Sequence, residues 1–342
     1  MSLLALLAQN MIEAPVPLPA VSEVARPSTW LDVPPYTQHF VRIGTYDGSG
    51  STLHPDVLDT TKLFGAPYRG YRYWMTHTPF PYQDGSKENP SIVVSNNLYD
   101  WHDTAVGITN PVIPPPGDPQ YNSDNDIAWN PDTNRFEITW RTVQFPNESM
   151  RFAYSTDGTT WSAFQTITVA GAGLIPYPGT RLEMLSPFMA RFGEFDWRVW
   201  HIKRGGTGQP NGGGLVWRDA SSPAGPWRTG TDCVLLNIDG STFTNPQFWH
   251  GNATVLPDGR MIGGWSTGDS GGNLTVGSSL DKGKTWTITR QSIMGSYRPA
   301  FVLDDDGVHV WIVDNVKMDP ARPGTNWLGL SRVPLSVFFS AA

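Results

Sequence analysis

The stretch His250–Trp286 reads HGNATVLPDGRMIGGWSTGDSGGNLTVGSSLDKGKTW, and its punctuation decides the fold. A first run, Asn252 to Leu256, stops at Pro257-Asp258-Gly259. A second, Arg260 to Trp265, follows that tight turn as a hairpin partner does. A Gly/Ser/Asp loop leads to a third, Asn273 to Ser279, and another turn closes on Trp286. Three short runs in succession, each bounded by turn residues, describe an antiparallel meander.

The same unit returns along the chain, so the repeat governs the reading of the rest. Middle runs are expected at Tyr71 to Thr76, Arg135 to Trp140, Trp197 to Ile202, Arg260 to Trp265 and Val308 to Val313. Third runs follow at Ser91 to Ser95, Arg151 to Ser155, Gly214 to Arg218, Leu274 to Ser278 and Trp327 to Ser331. After four of them a polar turn ends in tryptophan, at Trp101, Trp161, Trp227 and Trp286. Features that stay in phase through five units predict an all-β chain folded as a five-bladed β-propeller. The blades fall near 54–107, 122–169, 183–236, 250–290 and 298–339. Gln38 to Tyr46 alternates like a strand and is expected to close the ring on the last blade, where Leu335 to Phe339 also sits.

Ahead of the propeller, assigned to 37–342, lies a segment of different character. Residues 1–13, MSLLALLAQNMIE, suit a short helix or peptide apolar on most sides, which calls for a partner surface. The run is too short to span a bilayer and lacks the basic start of a signal peptide. Residues 14–36 are Pro-rich and read as a semi-rigid linker. Residues 1–36 are therefore expected to be an apolar anchor and tether that docks on a larger assembly.

Bulk composition narrows the function. A net charge of −7, with no Lys/Arg cluster, argues against nucleic acid and anionic membrane surfaces as partners. The single cysteine, Cys233, permits no internal disulfide. No ligand spacing of the zinc type occurs, so no metal or other cofactor is expected.

The tryptophan turns carry a motif. Ser279-Leu-Asp-Lys-Gly-Lys-Thr-Trp286 resembles the Asp box seen in sialidases and other propellers; Ser155 to Trp161 is one residue shorter, and Ser95 to Trp101 has Asn97 for the Asp. In such a turn the carboxylate accepts backbone N–H groups while the Trp packs between blades. The motif supports a fold rather than an activity.

Through its blade count, the run ENPSIVVSN at 88–96 and the turn Ser222-Pro-Ala-Gly-Pro-Trp227, the chain resembles the five-bladed glycosidase superfamily of arabinanases, xylosidases, invertases and levansucrases. His54-Pro-Asp-Val57, Tyr71 to Met75 and Glu88-Asn-Pro90 look like the glycosidase-like minor tail proteins of phages that infect actinobacteria. The resemblance implies an Asp in blade one, an Asp in blade two and a Glu in blade three, sharing the nucleophile or base, acid and pKa-tuning roles. Here the blade-one position before the proline holds His54, with Asp56 two residues on. Blade two offers Asp124 and Asp126, and in blade three Glu183 stands displaced from Pro187. A histidine does not stabilise an oxocarbenium ion as a carboxylate does, so catalysis is expected to be weak or lost.

The resulting expectation is a virion tail protein, present in several copies, that binds cell-surface polysaccharide and meets other tail proteins through residues 1–36. Its sugar-binding residues would be His54, Asp124, Trp129, Trp249, His250, Tyr297 and Arg298, with Trp74 and Tyr121 as further aromatic candidates. The resemblance also leaves room for a central calcium beside His250. The rival expectation is an active glycoside hydrolase on arabinose-, xylose- or fructose-containing polymers, with Asp56, Asp126 and Glu183 as its carboxylates. A third is a scaffold that touches only proteins.

Overall fold

Alternation of apolar and small residues between turns makes five twisted sheets, each too small to bury its faces alone, and stacking them around an axis buries both. The computed structural model describes residues 38–117, 120–144, 147–171, 175–176, 184–203, 213–244, 246–267, 273–291, 293, 295–317 and 326–339. The anchor and linker at 1–36 and the candidate Glu183 lie outside the described residues.

The inner strands are Thr52–Asp59, Tyr121–Asn130, Met184–Gly193, Phe248–Val255 and Ala300–Leu303. Each pairs antiparallel with a middle strand: Tyr73–Pro79, Arg135–Gln144, Asp196–Lys203, Met261–Thr267 and His309–Lys317. Third strands complete the meanders at Ser91–Ser95, Asn147–Ser155, Leu215–Ala220, Leu274–Ser279 and Asn326–Pro334. The protein is a five-bladed β-propeller. Among the described residues no helix is long and apolar enough to cross a membrane.

Ring closure follows the sequence expectation. Gln38–Val41 pairs antiparallel with the third strand of blade five, Gln38 opposite Ser331 and Val41 opposite Leu328. On the outside of the same seam, Arg72 of blade one bonds both Asp59 and, at 2.5 and 2.6 Å, Asp305 of blade five. One boundary differs from the sequence reading. Val234–Asn237, assigned to blade three, runs parallel to Thr285–Arg290 as the outermost strand of blade four, covering an edge that would otherwise present unpaired backbone groups. Leu335–Phe338, at the end of blade five, forms a 3-10 turn, and the Thr289 hydroxyl donates to the Val337 carbonyl at 2.9 Å.

The core lies between blades. Trp74 stacks on Phe136 of the next blade at 5.6 Å, and Trp200 meets Trp286 of the next blade edge-on at 6.5 Å. The Asp boxes hold as expected: Asp281 accepts the N–H groups of Lys284 and Thr285, and Asp157 those of Thr159 and Thr160. Asn97 does the same for Tyr99 and Asp100. These turns press on the neighbouring blade, where Trp200 donates to the Gly283 carbonyl at 2.8 Å.

Candidate functional site

Four of the five inner strands break register at the same station. The breaks fall between Leu53 and Asp56, Ser123 and Asp126, Leu185 and Phe188, and Phe248 and Gly251. At each, two residues oppose one on the middle strand, which is a β-bulge. Three bulges place a non-glycine residue at positive φ: His54 at 54°, Asp124 at 55° and Ser186 at 49°. The bulge swings these side chains off the pleat and toward the axis; in blade four the matching first position is Trp249, and His250 is the second residue of the bulge.

His54, Asp124 and His250 meet there. His54 Nε2 stands 3.3 Å and His250 Nδ1 3.1 Å from the same oxygen, Asp124 Oδ1. All three residues are buried, and these three atoms have no hydrogen-bond partner: the short His250–Asp124 approach lacks hydrogen-bond geometry. The ligand atoms of the three lie within 4.8 Å of one another. The other carboxylate oxygen is engaged: Arg141 Nε donates to Asp124 Oδ2 at 2.8 Å, and Arg141 Nη1 donates to Glu148 at 2.9 Å. On the far side of its ring, His54 Nδ1 meets Thr78 Oγ1 at 3.0 Å, a contact that leaves Nε2 facing the cluster.

Burial sets the protonation states. Desolvation drives His54 well below the ordinary histidine range and lowers His250 as well, so both rings are neutral near pH 7. Burial alone would raise Asp124, but its pKa lies well below the ordinary carboxylate range, with the Arg141 guanidinium opposing the burial and holding the carboxylate ionised. Two neutral imidazoles and one carboxylate, converging with free donor atoms, form a donor set that suits a divalent transition metal. Three protein ligands also leave positions open, as catalytic metal sites do.

Around the cluster, Glu88 Oε2 approaches His54 Nδ1 to 3.7 Å, and burial lifts its pKa to about 8. Tyr297 lies over His250 with ring centroids 4.4 Å apart and accepts from Trp249 Nε1 at 3.4 Å; desolvation holds its phenol protonated. Arg298 is fully buried and donates to the Pro187 carbonyl at 2.8 Å, while its Nε and Nη1 have no partner.

The other candidates divide. Asp56 and Asp126 lie one step farther along the axis, carboxyl against carboxyl, and burial with the Asp56 charge raises Asp126 well above the usual range. Asp56 also accepts from Ile127 N–H at 2.8 Å and Asn252 Nδ2 at 2.9 Å, tying blades one, two and four. A cavity of about 100 Å³ opens beside them. Trp129 is five residues beyond Asp124 on an extended strand, roughly 16 Å away along it, and packs on Phe64 at 4.7 Å. Trp74 is fully buried between blades. Sequence reasoning missed Glu88, Arg141 and Glu148 as site residues; the middle strand RFEITWRTVQ mixes charged and apolar residues, so Arg141 does not stand out in it.

No family model matches the chain. A curated relative, the A type blood N-acetyl-alpha-D-galactosamine deacetylase of Flavonifractor plautii, is 32% identical over 113 residues, which are 32% of this chain and 14% of the deacetylase. Among solved structures, an N-acetylgalactosamine deacetylase from F. plautii in complex with blood group B trisaccharide superposes with TM-score 0.70 at 19% identity, covering 88% of this chain and 96% of that one. The α-L-arabinanase of Penicillium chrysogenum, complexed with arabinobiose, gives 0.55 at 14% identity over 85% and 79%. A thermostable family-43 glycoside hydrolase gives 0.54 at 12% over 85% and 92%. The fold is that of the glycosidase-like five-bladed propellers. Within that fold, the cluster sits at the entry ends of the inner strands.

Proposed function

We propose that the protein is a carbohydrate-active propeller that removes the N-acyl group from an acetamido sugar, with His54, Asp124 and His250 as ligands for a divalent metal. The observation that carries this is the convergence of three buried, unpartnered ligand atoms on one point. Likeness to the F. plautii deacetylase supports the reading. A divalent ion held there supplies Lewis acidity toward an acyl carbonyl. Arg141 fixes Asp124 so that only Oδ1 faces the histidines. Glu88, 3.7 Å from His54 Nδ1 on the side of that ring away from the cluster, is placed to hold the imidazole in position. The free N–H groups of Arg298 and the Tyr297 hydroxyl are placed to orient the acetamido group.

Glycoside hydrolysis by Asp56, Asp126 and Glu183 is the weaker reading. Of these carboxylates Glu183 lies outside the described residues, and Asp56 is engaged in tying blades together, accepting from Ile127 N–H and Asn252 Nδ2. The test is acetate release from N-acetylated sugars by protein loaded with zinc or manganese, beside sugar release from arabinan, xylan and fructan. Acetate release that disappears in His250→Ala and Asp124→Asn supports the assignment; sugar release that survives both and is lost in Asp126→Asn overturns it. A place on a virion tail is a separate proposal resting on the apolar run at residues 1–13, and immunolabelled virions would test it.

A further inference from the structure

The turn after the middle strand of blade one spans Pro81 to Lys87 and carries Tyr82, 64% exposed and the most exposed aromatic side chain among the described residues. Its backbone is left-handed, at φ 54° and ψ 26°, and Gln83 follows at φ 65°. Two adjacent non-glycine residues in that region are strained, and such strain persists only where surrounding contacts enforce it. The contacts are present. Asp84 accepts from the backbone and hydroxyl of Ser86, Tyr46 donates to the Lys87 carbonyl at 2.9 Å, and Asn89 donates to Tyr46 at 3.0 Å.

The turn sits on the lip of the site. A Cβ built on Gly85 would lie 3.5 Å from the Tyr121 ring and 3.8 Å from Glu88 Oε1, and Glu88 in turn approaches His54. Tyr82 is three residues from Gly85, at most roughly 11 Å by chain length. Other exposed aromatics lie elsewhere: Phe195 in the turn at the far end of blade three, Tyr99 in an Asp-box turn and Phe164 beside the outer strand of blade two. Gln83, Asp84 and Lys87 around Tyr82 are exposed and polar, so the ring is no part of an apolar docking patch. An exposed aromatic face flanked by polar side chains is the chemistry that receives a pyranose ring.

We propose that Tyr82 is a stacking platform for the sugar residue adjoining the one bound over the histidine cluster, so that the ligand is the end of an oligosaccharide rather than a free monosaccharide. This rests on the carbohydrate reading of the site. The test is calorimetric binding of N-acetylgalactosamine and of a trisaccharide ending in it to the full chain, together with acetate release from each. The wild type is expected to prefer the trisaccharide. Tyr82→Ala should weaken trisaccharide binding roughly three- to tenfold and leave the monosaccharide unchanged, with Tyr82→Phe close to wild type. Equal affinities in the wild type, or a Tyr82→Ala variant that loses neither ligand or both alike, overturns the platform even if acetate is released. A Tyr82-dependent trisaccharide preference without acetate release keeps the platform and removes the deacylation reading. Binding of neither ligand removes both.

Discussion

Two histidines outside the candidate site, His77 and His201, make the fold sensitive to acid in a way that can be measured apart from everything else. Each is fully buried and opposes a β-bulge on its middle strand. His77 Nδ1 meets Thr52 Oγ1 at 2.8 Å, and Arg218 Nε donates to His201 Nε2 at 3.2 Å. Desolvation pushes both pKa values down to about 3. The native state therefore keeps these rings neutral while the unfolded chain protonates them below about 6.5. Their contribution is intact above pH 6.5 and falls as the pH drops from there toward 3. Between pH 7 and 5 the loss is about 2 kcal/mol for each ring, about 4 together. Glu88 and Asp314 act oppositely: with native pKa values raised to about 8 and about 7 by burial, they add stability as the pH falls toward the ordinary carboxylate range. The wild-type curve is a sum of both. Comparing it with a His77→Gln/His201→Gln double variant isolates the histidines, because any packing cost of glutamine cancels in the pH difference. At a urea slope of about 3 kcal/mol/M, the shift in midpoint from pH 7 to 5 should differ between the proteins by about 1 M. Parallel shifts would show that the rings are not held neutral and would refute the argument.

Zinc or manganese at about a hundredfold above its Kd should stabilise the protein by about 2.7 kcal/mol, a Tm rise of about 4 °C for a chain of this length, and His250→Ala should abolish the rise in a thermal melt. Gly283→Ala should cost about 2–4 kcal/mol, because φ is +72° and the new methyl would enter the Trp200 ring. Gly240→Ala, at φ +82° with nothing within 4 Å, should cost only about 1 kcal/mol, and equal losses in denaturant titration would contradict the packing account.

The propeller was legible because turn chemistry is written in residue types. Asp281, Gly283 and Trp286 each have a job that few other residues perform, and the spacing repeats. The parallel strand Val234–Asn237 was not legible, since pairing at a sheet's outer edge leaves no periodic mark of its own. The site was half visible. His54, Asp124 and His250 were named as funnel residues, but alignment to a carboxylate pattern made His54 a substitution in an acid–base set. The structure places it as one of three convergent donors. Glu88 and Arg141 reach the cluster from a loop and a middle strand, and alternation gives the face a side chain takes, not its height along the axis. The bulges were hidden because positive φ here falls on His54, Asp124 and Ser186 rather than on glycine, the one residue that would have announced it.

Those three positions explain how a symmetric fold yields an asymmetric site. The backbone device is the same in these three blades; only the side chain mounted on it changes, imidazole in blade one, carboxylate in blade two, hydroxyl in blade three. Each left-handed residue costs about 1–2 kcal/mol, so something must hold it there. At Ser186 the restraint comes from the next blade: the hydroxyl accepts from Gly251 N–H at 3.0 Å and donates to the Gly251 carbonyl at 2.9 Å. Ser186→Ala removes both bonds and keeps the strain, whereas Ser186→Gly removes the bonds and releases it. The alanine variant should lose about 1–3 kcal/mol, and the glycine variant should be the more stable of the two by about 1 kcal/mol, reversing their order in ordinary strand positions. Urea titration of both decides it. An alanine variant at least as stable as the glycine one would mean that the bulge is relaxed, and that the side chains reach the axis without being forced there.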